Sequence, residues 1–278
     1  MKRSVLVASA LSIAAVAFGL ALSTASSVAA TSLPTLTLAL TKNTVTVGGS
    51  MVSGAVNVVT TVTGEKSDGP GLILLKPGVT PAEFGKFITT LSPKSPFDAI
   101  DPYGTIVFDG FAVAGTPSSA ETVLQPGTYI AVENGNGHAV FTVTNAAQPA
   151  VLPTPGATVT AIDFAFRGAS TLHDGELVRF KNDGYLIHMF VFLQAKSLAD
   201  AKLAEQGILS GKCNGGGQCK QYSTGLQGEF AGPLSHAELQ QEVVNEPPGV
   251  YVVACLMNAE DGREHDQLGM FRTITIVK

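Results

Sequence analysis

Cys255, His265 and Met270 stand in that order within ACLMNAEDGREHDQLGM (254–270), and His188 opens HMFVFLQA (188–195) earlier in the 278-residue chain. A thiolate, two imidazoles and a thioether form a donor set that suits copper. Three strong ligands in a plane with one weak axial ligand satisfy neither Cu(I) nor Cu(II) fully, which favours one-electron transfer. Residues this far apart in sequence meet only if strands carry them to one end of a sandwich. Four residues separate His265 from Met270, whereas nine separate Cys255 from His265. The Asp261-Gly262 pair offers a tight turn that bulges the surplus outward and returns His265 to Cys255; otherwise His265 ends in solvent.

Each residue also has an ordinary structural reading. Cys255 lies in an apolar run where a free cysteine is at home as a small hydrophobe. Met270 at a strand start reads as core, and His188 as a buried structural histidine. Met257, two residues past Cys255 and so on the same face of an extended strand, is a reserve axial ligand, while Met189 points away from His188 and packs. His173 in HDG reads as a solvated turn residue, His236 in SHAELQQ as the start of a short helix whose loop could lie near the site, and His138 is the first half's only histidine. Glu260, Asp261, Glu264 and Asp266 read as a solvated loop tip able to steer a basic partner.

The elements that must position these residues are strands. Gly, Val, Thr and Ala dominate a chain with few charges, which fits sheets joined by tight turns. In the second half, TVTAIDFAF (158–166), ELVRFKN (176–182), HMFVFLQ, VYVVACL (250–256) and MFRTITIV (270–277) read as strands. SLADAKLAEQG (197–207) reads as a short helix capped by Ser197 and stopped at Gly207. Residues 208–246 read as a long irregular excursion. The first half repeats this plan: GLILLKPG (71–78) and TPAEFGKFITTL (80–91) lie 117 residues before the matching strand and helix, with Thr80 as cap and Glu83 in the capping-box position. QPGTYIAVE (125–133) likewise matches PPGVYVVAC (247–255). The alignment puts Gly71 at the place of His188 and Glu133 at that of Cys255, so the first copy lacks an equivalent site. NAAQPAVLPTPGA (145–157) reads as a proline-rich linker between the copies.

Lys2 and Arg3, the apolar run Val5 to Leu22 and small residues ending at Ala30 read as a secretory signal peptide over 1–30. The remainder carries 15 basic and 22 acidic residues, a net of −7, with no basic run for nucleic acid and no retained membrane anchor. In an oxidising compartment Cys213 and Cys219 can close a small disulfide ring, which leaves Cys255 over as a free thiol, an intermolecular partner or a ligand. No phosphate loop, Gly-x-Ser-x-Gly, His-Glu-x-x-His or Cys-x-x-Cys motif is present.

FKNDGYLIHMFVF, with Asn182 and His188, and PPGVYVVACLMNAEDGREHDQLGMFRTITIV, with Cys255, His265 and Gly269-Met270, together resemble the cupredoxin signature, most closely that of secreted, plastocyanin-like bacterial proteins. The likeness covers about residues 157–278, and the first half only by architecture. It implies an all-β protein of two tandem cupredoxin-like Greek-key β-sandwiches, each with a short helical insertion: a leader (1–30), a degenerate domain without metal ligands (31–147), a linker (148–156) and a domain carrying the site (157–278). It further implies one mononuclear copper held by His188, Cys255, His265 and Met270, and electron transfer outside the cytoplasm with a redox partner protein. On this reading electrons leave through an exposed edge of His265, and the chain is a carrier, not an enzyme. The alternatives are a metal-free secreted binding or structural β-sandwich, or copper storage or delivery.

Overall fold

Alternation of apolar and polar residues makes strands wherever one face can be buried. In TLTLALT, Leu36, Leu38 and Leu40 are fully buried and the intervening residues are exposed. The computed structural model describes residues 32–92, 95–133, 137–213 and 219–278. The expected leader, 1–30, lies outside the described residues. Residues 33–278 form one compact unit.

The first half contributes β1 (Thr35–Thr41), β2 (Thr44–Gly49), β3 (Gly54–Thr63), β4 (Ser67–Asp68), β5 (Gly71–Leu75), α1 (Pro81–Ile88), β6 (Gly104–Asp109), β7 (Ala112–Val113), β8 (Ser118–Leu124), β9 (Gly127–Val132) and β10 (His138–Val143). The second contributes β11 (Ala157–Ile162), β12 (Ala165–Gly168), β13 (Thr171–His173), β14 (Leu177–Asn182), β15 (His188–Ala195), α2 (Leu198–Leu209), β16 (Ser223–Leu234), β17 (Leu239–Val243), β18 (Gly249–Ala254) and β19 (Phe271–Val277). An eight-stranded sheet, β12-β11-β14-β17-β8-β3-β1-β2, spans both halves. A four-stranded sheet, β10-β9-β5-β6, faces its first-half part, and a five-stranded sheet, β13-β19-β18-β15-β16, faces its second-half part. Each half therefore has its own sandwich core. In the second, Phe180 stacks on Phe230 at 5.1 Å and meets Phe190 edge-on at 5.4 Å, with Tyr251 and Cys255 in the same cluster.

The internal likeness has physical content. β1 pairs in parallel with β3, as β11 does with β14. In both Pro-Gly-x-Tyr motifs the buried tyrosine hydroxyl donates to a carbonyl four residues upstream, Tyr129 to Gln125 and Tyr251 to Pro247. The cap fixes the entrance to β9 and to β18, and burial pushes both phenols up to about 12. Helix α1 begins as expected, with Thr80 as N-cap and Glu83 completing a capping box.

Three expectations are corrected. TVTAIDFAF is not one strand: it turns at Asp163-Phe164, where Phe164 takes φ +60°, to give the hairpin β11–β12. Gly207 does not stop α2, which runs to Leu209; a Cβ at 207 would stand 2.5 Å from Cys213 Sγ, so the glycine admits the sulfur instead. The 208–246 excursion contains β16 and β17. Glycines and polar residues in STGLQGEFAGPL weaken its local strand signal, and pairing with β15 supplies what the segment lacks. Cys213 and Cys219 are disulfide-bonded, leaving Cys255 free and buried. Of the proline-rich segment, Ala150 accepts a hydrogen bond from Ala55 and Pro153 one from Gln241, so it is tied to the sheet.

Candidate metal centre

β18 ends at Ala254, and Cys255 follows it into the core; β15 begins with His188 beside it. The loop that leads from β14 into β15 is closed by its own polar groups. Asn182, fully buried, donates to the carbonyls of Leu186 (2.7 Å) and Leu234 (2.8 Å) and accepts from the Gly184 amide (2.9 Å). Asp163 accepts from the amides of Tyr185 (3.2 Å) and Leu186 (3.1 Å) and pairs with His188 Nε2 at 3.1 Å. A Cβ at Gly184 would stand 2.8 Å from His188 Nε2 and 2.5 Å from Asp163 Oδ1, so only glycine allows this approach.

The nine-residue gap resolves as a folded-out hairpin. Ala259 donates to Arg263 (2.8 Å) and Gly262 to Ala259 (2.9 Å), with Gly262 at φ +81° and Asp261 ion-paired to Arg263. The chain then returns: His265 donates its amide to the Met257 carbonyl (2.8 Å) and Asp266 to that of Cys255 (2.9 Å). A short 3-10 turn, His265–Leu268, ends at Gly269 in the left-handed region and feeds Met270 into β19.

These elements bring three donors together. Cys255 Sγ is 3.4 Å from His265 Nδ1 and 3.7 Å from His188 Nδ1, and the two Nδ1 atoms are 3.2 Å apart. All three side chains are fully buried. Met270 is fully buried in the same core cluster as Cys255, and Met257 packs against that cluster. Burial pushes the Cys255 thiol up to about 12, despite amides from Met189 (3.5 Å) and Met257. Burial, with His188 as neighbour, takes His265 down to about 4, and burial lowers His188 against the pull of Asp163. At neutral pH the group is thus an uncharged thiol with two neutral imidazoles. The Asp163 contact places the His188 proton on Nε2, so the Nδ1 lone pair faces Cys255. His265 Nε2 is buried without a hydrogen-bond partner.

The residues fit a transition metal. Three donors around one ion with bonds of about 2.1 Å stand about 3.6 Å apart in a trigonal arrangement, which matches the edges of this triangle. Thiolate with two imidazoles is also the chemistry such an ion selects, and among the described residues this is the one His, Cys, Asp and Glu group close enough to hold a metal.

Sequence reasoning missed two carboxylates. Asp163, read as part of a strand, fixes His188. Asp98, in the 3-10 turn Phe97–Ile100 of the first half, accepts the Ile187 amide at 2.6 Å, next to His188; burial raises its carboxyl above the usual range. An acid interrupting the apolar alternation of AIDFAF was a usable signal for Asp163; nothing local marks Asp98. The expected exposed edge of His265 is corrected: Phe164, 37% exposed, lies edge-on against that ring at 5.2 Å and covers it. Over this pair opens a cleft of about 650 Å³, with Phe164, Leu186, Leu268 and Arg263 on the second half and Pro96 and Asp98 on the first. Asp266 is also corrected, since it is fully buried and not part of a solvated tip. His138, His173 and His236 are exposed, and His236 stacks on Tyr185 at 5.5 Å.

No protein-family model and no curated protein matches the chain. Among solved structures it is similar to auracyanin B, at 19% identity over 46% of this chain and 94% of that one, with a TM-score of 0.28. It is also similar to a multicopper oxidase, at 12% identity over 87% of this chain and 88% of that one (TM-score 0.23). A copper nitrite reductase from Nitrosomonas europaea aligns at 10% identity over 88% of this chain and 93% of that one (TM-score 0.23). The expectation that the chain is no enzyme is corrected by these last two, which are named as enzymes and align across both halves; the restriction to a carrier is withdrawn. Among the described residues no helix is long and apolar enough to cross a membrane. The chain's own paired sandwiches and its His-Cys-His group make this an all-β protein of cupredoxin-like fold.

Proposed function

We propose that the chain binds one copper ion through His188, Cys255 and His265, with Met270 as the weak axial group, and that it transfers single electrons outside the cytoplasm. The observation that carries this reading is the buried triangle of two Nδ1 atoms and one Sγ, with edges of 3.2 to 3.7 Å. Copper held there would supply one reversible electron. The chain's own residues supply the rest. Asp163 keeps the His188 proton on Nε2, Asp98 and Asn182 hold the loop that carries that ring, and the surrounding aromatic core keeps water out. Cys255 must give up its proton to bind, so loading is favoured as pH rises.

The exit for an electron on this reading is Phe164, which touches His265 and reaches the surface. A redox partner protein would dock over the cleft that Phe164 lines, where Glu260 supplies negative charge beside apolar walls and Asp261 is ion-paired to Arg263. Storage or delivery of copper is a second reading, favoured by the full burial of both imidazoles.

Adding Cu(II) to the purified protein with Cys255 reduced is the test. The expected result is one copper per chain by elemental analysis and an intense thiolate-to-copper absorption band, lost in Cys255→Ala. Stoichiometric copper without the band would support storage, and no stoichiometric copper would overturn both copper readings.

A further inference from the structure

The two copies treat the seam between helix and sheet differently. In the second half α2 buries Ala201, Ala204 and Ile208 in a cluster with Leu193, Val252 and the Cys213–Cys219 disulfide. In the first half α1 buries only Phe84, and a cavity of about 480 Å³ lies between the helix and the sheet β10-β9-β5-β6. That volume is within the range of small-molecule sites.

Strand register gives the cavity an apolar middle and a polar end. Ile73 pairs with Ile106 on one side and Ile130 on the other, so three isoleucines on adjoining strands form its floor, opposite Phe84 and Ile88 of α1. Two residues earlier in β5, Gly71 pairs with Asp109 and with Val132, and Glu133 follows. Glu133 is occupied by the Gly137 amide. Asp109 accepts no hydrogen bond and makes no ion pair with any described residue, and its charged neighbour is another acid, Glu229. Two glycines pack against its carboxylate: a Cβ at Gly232 would overlap Asp109 Oδ1 at 2.0 Å, and one at Gly71 would stand 3.1 Å from Oδ2. Asp109 is half-buried, and partial desolvation together with Glu229 raises the cost of an unshared negative charge there, a cost that a cation from outside removes.

We propose that this cavity binds a small amphipathic amine, its hydrocarbon body among the isoleucines and Phe84 and its ammonium on Asp109. The proposal does not depend on copper. Octylamine, octan-1-ol and octanoate share a chain length and differ in head group, so calorimetric titration of the intact protein with each is the test. The amine is expected to bind one per chain and about tenfold tighter than the alcohol, and the octanoate more weakly than either. Asp109→Asn should bring amine affinity to that of the alcohol without emptying the cavity. A Cβ at Gly85, a cavity-lining helix residue, meets nothing within 4 Å, so Gly85→Leu should place its side chain in free space, favour the helix and abolish binding of both. Equal affinity for amine and alcohol, binding that survives Gly85→Leu, or no binding of any of the three would each overturn the proposal.

Discussion

At the scale of single residues, the site is held by carboxylates as much as by its donors. Asp163 accepts three hydrogen bonds, one of them from the imidazole that faces Cys255. Asp163→Asn keeps the shape but removes the charge that fixes the His188 tautomer. Copper affinity should fall about 10- to 100-fold, as for other outer partners of metal-bound histidines, while the far-ultraviolet circular dichroism stays that of wild type. Competitive titration against a chelator reads the change. Asp98 acts from the other half of the chain. Asp98→Ala leaves the Ile187 amide without its acceptor, and the expected loss is about 1–3 kcal/mol in urea unfolding.

At the scale of elements, the hairpin 256–264 decides whether His265 is a ligand. Its tip depends on Gly262, which sits at φ +81° with no atom near the position of a Cβ, so a substitution there meets only backbone strain. Gly262→Val should cost about 1–3 kcal/mol and loosen the return of His265. The visible band would weaken at equal copper while the sandwich core, read by near-ultraviolet circular dichroism, persists. The strands beneath are fixed by aromatic packing. Phe180 touches both Phe190 and Phe230, so Phe180→Ala should remove about 3–5 kcal/mol and lower the melting temperature of the apo protein.

At the scale of the whole molecule, the two halves meet through polar groups as well as the shared sheet. Ser235 exchanges two hydrogen bonds with the Ile106 backbone (2.9 and 3.0 Å), and Thr122 donates to Leu239 (2.9 Å). Glu238, near Lys76 of the first half, is pushed by burial to about 7 from 4.5. Between those values the folded chain holds a proton that the unfolded chain has released, so stability falls as pH rises from 4.5 through 7, by up to about 1.4 kcal/mol per pH unit. Glu238→Gln should flatten that slope in chemical unfolding measured across the window. By itself the sequence determined the all-β class, the capped helix α1, the internal likeness and the candidate donors, because alternation, capping boxes and Pro-Gly-x-Tyr act within a few residues. It also supplied Asp261-Gly262 as the turn able to absorb the long gap. Only the tertiary structure decided that this hairpin returns His265 to Cys255, that Phe164 covers its ring, and that Asp163 and Asp98 hold the His188 loop. It likewise decided that β16, poor in strand formers, becomes a strand against β15. Most of those outcomes depend on contacts between distant segments, 25 residues apart for Asp163 and His188, 89 for Asp98 and Ile187, and a local pattern carries no information about which distant partner will satisfy a buried donor.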